Sequence, residues 1–351
     1  MIGGGRQKVI AAGFGFLQAT RLHRVLEPLT RGLGAILMLH HVRPWVERPF
    51  APNRLLEVEP GFLDAALTLI KSRGFDLVTL DEAMVRLVEG DRARFVALTF
   101  DDGYRDNVAH ALPVLERHGA PFTLNVTSGF ADRTARLWWV ELEEAVAELD
   151  RIAVAWDGVT IDLPSVTPDE KQAAFDTLYW RLRAGPEDRM LAVIATLLGQ
   201  ARLSSAAIVE RLCLDWSGIE ALARHPLCTI GVHTLTHPML AKHGAVFVRQ
   251  ELTESRRVIE AHTGRPARHL AYPVGDPGSA GPREFALAQE LGFASAVTTR
   301  PGMLFPAHRK HLCALPRLSL NGNWQSLDSL DVLLSGVPFA LWNKGRRLNV
   351  A

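Results

Sequence analysis

Phe95-Val96-Ala97-Leu98-Thr99-Phe100-Asp101-Asp102-Gly103 is the stretch that decides the fold. Six residues without a charge end in two adjacent carboxylates and a glycine. A short apolar run that does not alternate with polar residues predicts a strand buried on both faces. A helical period follows over about 107–117, Gly119 stops it, and 121–127 reads as another strand. Strand, loop, helix and strand in that order predict a parallel α/β unit, with Asp101 and Asp102 at the strand's C-terminal end.

The same rhythm extends in both directions. Upstream, Ala35-Ile36-Leu37-Met38-Leu39 is a second uncharged run, following Gly32 and Gly34 and ending at His40-His41. Residues 60–73 have a helical period, 75–80 are strand-like, and Asp81 is the expected N-cap of a helix through Leu87. Downstream, about 130–224 is mostly helical, with a possible hairpin around 154–163, and reads as an insertion. The strand pattern resumes at Thr229-Ile230-Gly231-Val232 and ends at His233. A helix is predicted over 246–263, a strand at 269–272, a helix over 279–291 and a strand at 294–298. The chain therefore divides into an N-terminal helical segment 1–34, an α/β body of 35–129 and 225–325, an insertion of 130–224 and a C-terminal segment 326–351.

Composition narrows the class. Of 351 residues, 48% are hydrophobic and 22% charged, as in a globular protein with a real core. With 39 basic and 38 acidic residues the net charge is +1, so no global attraction to nucleic acid or anionic membrane is expected. Cys213, Cys228 and Cys313 contain no CxxC pair and read as small buried residues, compatible with a reducing compartment. Residues 9–17 are apolar, but Arg21, His23 and Arg24 follow at once without a small-x-small cleavage site, so an amphipathic N-terminal helix is expected rather than a signal peptide. No run reaches the roughly 18 uninterrupted apolar residues of a spanning helix. The cytoplasm is the expected location.

Three features fall at the C-terminal ends of apolar strands, the edge where parallel α/β folds bind ligands. Asp101 and Asp102 diverge from one strand end, and crowding both into one cavity would raise a carboxyl pKa unless a cation were present. A metal resolves this if one aspartate binds it and the other stays free as a base. Gly103 allows the sharp turn after them. The blander reading is an Asx turn capping the next helix. His233 and His237, four apart, share one face of a helical turn and can reach one ion. Two histidines and one aspartate suit hydrolysis at zinc or a similar divalent ion. Two unrelated surface histidines are the plain alternative. Pro273-Val274-Gly275 is the third feature.

These motifs resemble those of the polysaccharide deacetylases, the family-four carbohydrate esterases with the nodulation protein B homology domain. Thr99-Phe100-Asp101-Asp102-Gly103 resembles their first motif, His233-Thr234-Leu235-Thr236-His237 their second, and Leu270-Ala271-Tyr272-Pro273-Val274-Gly275 a variant of their third. The resemblance covers roughly 35–129 and 225–320. It implies a distorted (β/α)7 barrel carrying the helical insertion, and a metal-dependent hydrolase that removes N-acetyl groups from chitooligosaccharide or poly-N-acetylglucosamine substrates. It assigns Asp101 as general base and Asp102, His233 and His237 as ligands of a divalent metal, zinc by expectation. Tyr272, Pro273 and Val274 would meet substrate, with the Val274 N–H at the oxyanion.

Departures from the family pattern matter. The arginine that steadies the base in many relatives is replaced by Ala271, with Arg268 three residues earlier a candidate structural arginine. The strand candidate Leu315-Pro316-Arg317-Leu318-Ser319-Leu320 lacks the histidine that would protonate the leaving amine. Leu37-Met38-Leu39-His40 resembles the first strand of the poly-N-acetylglucosamine deacetylase subgroup, which makes His40 the candidate acid. A strand-end hydrogen bond is its plainer role, and the 308–311 stretch or solvent are other acid sources. His41 is expected to be structural. Trp138 and Trp139 are either a sugar platform or packing anchors. Two other functions stay open: an amide hydrolase acting on a non-sugar or lipid-linked substrate, and an inactive carbohydrate-binding barrel.

Overall fold

The computed structural model describes residues 4–91 and 93–350. Twelve strands run in chain order: β1 (Gly34–Leu39), β2 (His41–Val42), β3 (Glu57–Val58), β4 (Asp76–Val78), β5 (Phe95–Phe100), β6 (Phe122–Val126), β7 (Arg151–Trp156), β8 (Val159–Pro164), β9 (Cys228–Val232), β10 (His269–Ala271), β11 (Ser295–Pro301) and β12 (Leu315–Ser319). Seven of them, in the order β1-β12-β11-β10-β9-β6-β5, close into a parallel barrel because β5 pairs back on β1. That pairing is continuous from Gly34 opposite Phe95 to Leu39 opposite Phe100. The other edge of β5 is shared. β4 pairs with residues 95–97 and β6 with residues 98–100, so the ring is distorted at this strand. Every residue of β1, β5 and β6 is buried, which is why these segments read as unbroken apolar runs.

Several local expectations are revised. Thr79, not Asp81, caps the helix Leu80–Glu89, its hydroxyl accepting from the Glu82 N–H. Asp81 instead meets Arg268 and His269 near the start of β10. The helix after the Asp-Asp-Gly loop opens as a π turn over Asn107–Ala111 before Leu112–His118. Pro113 cannot supply an N–H to that ladder. The N-terminal helix Gly4–Thr20 does not gather its apolar residues on one face, burying Leu17 but leaving Val9 and Phe16 exposed. The amphipathic element is the next helix, Leu22–Thr30, which buries His23 and Glu27. Among the described residues no single helix is long and apolar enough to cross a membrane.

The segment between β6 and β9 contains the β7–β8 hairpin, turning on Asp157-Gly158 in left-handed conformations. It also carries the helices Trp138–Glu148, Pro168–Ala184, Glu187–Ala201 and Ser205–Leu212. Their apolar faces form a hydrophobic cluster separate from the main barrel core, which takes in Tyr104, Phe130 and Met239 from the barrel loops. The insertion is thereby packed over the C-terminal mouth of the barrel.

Candidate active site

Asp102, His233 and His237 converge. Their ligand atoms lie within 4.8 Å of one another, and all three side chains are buried. The Asp102 Oδ1 is 3.3 Å from His233 Nε2 and 3.4 Å from His237 Nε2. Neither contact has hydrogen-bond geometry, and Asp102 Oδ1 has no partner among the described residues. An orphaned buried carboxylate oxygen facing two imidazole nitrogens is costly by itself. One oxygen and two nitrogens form a facial donor set that fits a divalent cation. His233 is oriented through its other ring nitrogen, Nδ1, which is bonded to the Ala271 carbonyl at 2.7 Å. That bond directs Nε2 towards Asp102. Burial pushes His237 down to about 3, so its imidazole is neutral and able to ligate. Burial opposes ionisation of Asp102, but His233, whose own pKa is raised, holds its carboxyl below the usual range.

The backbone that achieves this is not the predicted helical turn. Residues 233–237 form a loop in which Thr234 and His237 have φ of 65° and 62°. The loop is held from outside: the Glu251 carboxylate accepts from the Leu235 and Thr236 N–H groups at 2.9 and 2.8 Å, and the His237 N–H donates to Thr234 Oγ1.

Asp101 stands beside the donor set in a different environment. Arg317, fully buried on β12, donates to both of its oxygens, Nη1 to Oδ1 at 2.9 Å and Nη2 to Oδ2 at 2.7 Å. The Asn125 amide adds a third bond to Oδ1 at 2.8 Å. Arg317 is itself fixed by the Thr298 carbonyl and the Thr99 hydroxyl. Burial works against the Asp101 charge, but the Arg317 guanidinium and His233 outweigh it and hold the carboxyl well below the carboxylate range. The arginine missing from position 271 is thus supplied by β12. Its sequence signal was a single charge inside an otherwise uncharged strand. Arg268 is at the other end of β10, against Asp81.

A cavity of about 250 Å³ opens over these groups, walled by His40, Asp101, Trp138, Trp139, Tyr179 and Arg183 among others. His40 lies just past β1 on the cavity side. Burial lowers its pKa, while Asp102 and Asp101 pull it up. The 308–311 stretch is excluded as an acid source by position. His308 is buried against Phe305, next to Leu304, which bridges Gly34 at the opposite end of β1. His41 is buried, bonded to Asp106 at 2.6 Å and stacked on Tyr104.

The third motif divides. Tyr272 is part of the cavity wall, while its hydroxyl donates to the Cys313 carbonyl at 2.8 Å and its ring packs on Phe285. Pro273 is absent from the cavity wall, and its carbonyl accepts from Gly275 N–H. Val274 does line the cavity, with φ of 59°, and no acceptor among the described residues takes its N–H. Both tryptophans are at once buried in the insertion's core and part of the cavity wall, with Trp139 4.7 Å from the His237 ring.

A closed parallel barrel with this donor set at its C-terminal mouth defines the class. The chain belongs to the polysaccharide deacetylase family, whose profile matches residues 89–295. YxkH of Bacillus subtilis (strain 168), named as a polysaccharide deacetylase, is 27% identical over 143 residues, 39% of this chain and 47% of that protein. The chain thus aligns with about half the length of this curated relative. The Streptococcus pyogenes deacetylase PplD, solved with acetate, superposes with a TM-score of 0.57 at 18% identity, covering 86% of this chain and 96% of its own. IcaB from Ammonifex degensii gives 0.52 at 16% identity, covering 87% and 97%. Both share the fold.

Proposed function

We propose that this chain is a metal-dependent N-deacetylase acting on N-acetylated amino-sugar oligo- or polysaccharides. The observation that carries the reading is the pairing of two unlike carboxylates at one strand end. Asp102 is turned to two imidazoles, and Asp101 is clamped by Arg317 outside that donor set. Family membership and the aromatic cavity wall support the substrate class.

Asp102, His233 and His237 would hold the cation. When bound, a divalent ion such as zinc polarises the acyl carbonyl and acidifies water. Asp101, ionised at working pH, accepts the proton of the attacking water. Its bidentate clamp fixes the carboxylate so that little reorganisation is needed. The Val274 N–H, left free by its left-handed backbone, donates to the oxygen on which negative charge develops. His40 delivers a proton to the departing nitrogen, so that amide and water become amine and acetate. Trp138 and Trp139 offer apolar faces to the sugar ring.

The test is acetate release from chitooligosaccharides and poly-N-acetylglucosamine, with metal analysis of the same samples. Asp101→Asn should retain metal and lose turnover, and Asp102→Asn should lose metal. Metal loss in the first with activity kept in the second would reverse the two roles. Acetate from neither substrate would sink the reading.

A further inference from the structure

The catalytic cavity does not end at Trp139. A second cavity of about 370 Å³ adjoins it, sharing Asn53 and Leu56 as wall. Its lining is of another kind: charged side chains replace the aromatic wall. Most of the charges are already matched. Arg43 and Arg48 both pair with Glu57, and Arg211 pairs with Glu144. Glu143 is the exception. It forms no ion pair among the described residues, and its carboxylate accepts only from Asn53 Nδ2, at 2.8 Å.

The placement relative to the donor set is informative. Trp139 and Glu143 are four apart on the helix Trp138–Glu148 and so lie on one face. Trp139 abuts His237. Glu143 follows one turn along, about 6 Å by helix rise, which is on the scale of one sugar ring. Asn53 ties the two points together, its amide nitrogen also donating to the Trp139 carbonyl at 2.9 Å. Its Oδ1 receives no donor from the described residues and is not sealed from solvent, leaving an acceptor on the wall between the cavities.

We infer that this second cavity is a subsite for a glucosamine unit already free of its acetyl group, whose ammonium pairs with Glu143 while its N-acetylated neighbour occupies the catalytic cavity. The inference rests on the deacetylase reading. An ammonium fits because the partly buried Glu143 has no direct ion-pair partner among the described residues, Arg43 and Arg48 both being engaged with Glu57, and an acetamide in its place would leave that carboxyl without one. Burial, only partly offset by the Asn53 hydrogen bond and the nearby Arg48 and Arg43, pushes Glu143 up to about 7, so a cation arriving with a ligand would favour its charged form. The enzyme would then favour partly deacetylated chains and remove acetyl groups beside those already removed.

The test uses the metal-loaded full chain with three disaccharides of N-acetylglucosamine: the doubly acetylated one and its two mono-deacetylated isomers. One isomer should exceed the doubly acetylated disaccharide in kcat/KM by about tenfold or more, through KM. That is the scale of one charge-assisted hydrogen bond. Glu143→Gln, which keeps a hydrogen bond with Asn53 but removes the charge, should abolish the difference. Calorimetric binding of the fully deacetylated disaccharide should weaken similarly in Glu143→Gln, a readout free of catalysis. Equal kcat/KM for all three substrates, or a preference and affinity that survive Glu143→Gln, would overturn the subsite. Glucosamine binding that depends on Glu143, without acetate from any substrate, would uphold the subsite and refute the deacetylase reading instead.

Discussion

At the scale of the residue, Arg317 is the side chain on which most depends. Its guanidinium is fully buried and meets Asp101 through two hydrogen bonds. Arg317→Met should cost about 3–5 kcal/mol in denaturant unfolding, because it strands a buried carboxylate. Wild-type Asp101 has a depressed folded pKa, so its stabilisation is present above the ordinary carboxylate range and lost only as pH falls through the lower folded value. In the variant, burial acts with less opposition, and the acid limb of kcat/KM should move to higher pH. An unmoved acid limb would show that Arg317 does not set the ionisation of Asp101. His40 is judged separately. His40→Ala should lower kcat by about 10²–10⁴ with metal content unchanged, and a near-normal kcat would remove it from proton transfer.

The elements place these residues through backbone conformations that side-chain-bearing residues avoid. Nine described non-glycine residues have positive φ, and Asp102, Thr234, His237 and Val274 are among them, so the strain is concentrated at the site. Strand β9 contributes in another way. A Cβ at Gly231 would stand 2.2 Å from Asn125 Oδ1 and 3.1 Å from Thr123 Cγ2 on the neighbouring strand. Gly231→Ala must therefore displace the amide that holds Asp101. It should lower kcat by about tenfold or more, the worth of one hydrogen bond to a charged group, while metal content stays as in the parent. Steady-state kinetics with metal analysis checks this, and a parental kcat would mean the Asn125 bond is dispensable.

For the whole molecule, the insertion and the barrel meet across the cavity. Arg183, from the insertion helix Pro168–Ala184, donates to Asp276 at 2.7 Å, next to the third-motif loop, and to the Tyr179 hydroxyl. This ion pair closes one side of the cavity and is only partly exposed. Arg183→Leu should raise KM for an oligosaccharide by up to about fivefold, the upper range for such pairs, with a smaller change in kcat. A fall in kcat at constant KM would place Arg183 in the chemistry rather than in the enclosure.

The sequence by itself determined what is encoded locally. Uncharged runs marked the buried parallel strands, and turn and cap residues punctuated the helices. Asp101, Asp102, His233 and His237 stood out because each sits at or just beyond a strand end, where a barrel gathers its loops. The tertiary structure decided what depends on contacts far apart in the chain. Arg317 reaches Asp101 across 216 positions, which no local pattern can announce. The same holds for Glu143 beside Asn53, 90 positions away. The turn at 233–237 looked helical by spacing, but Glu251 on a later helix holds it in a left-handed form. Tyr272 lines the cavity, yet its hydroxyl is held by the Cys313 carbonyl, 41 positions away. In each case the deciding energy is burial and hydrogen bonding supplied by a distant element, and only the closed barrel brings that element into range.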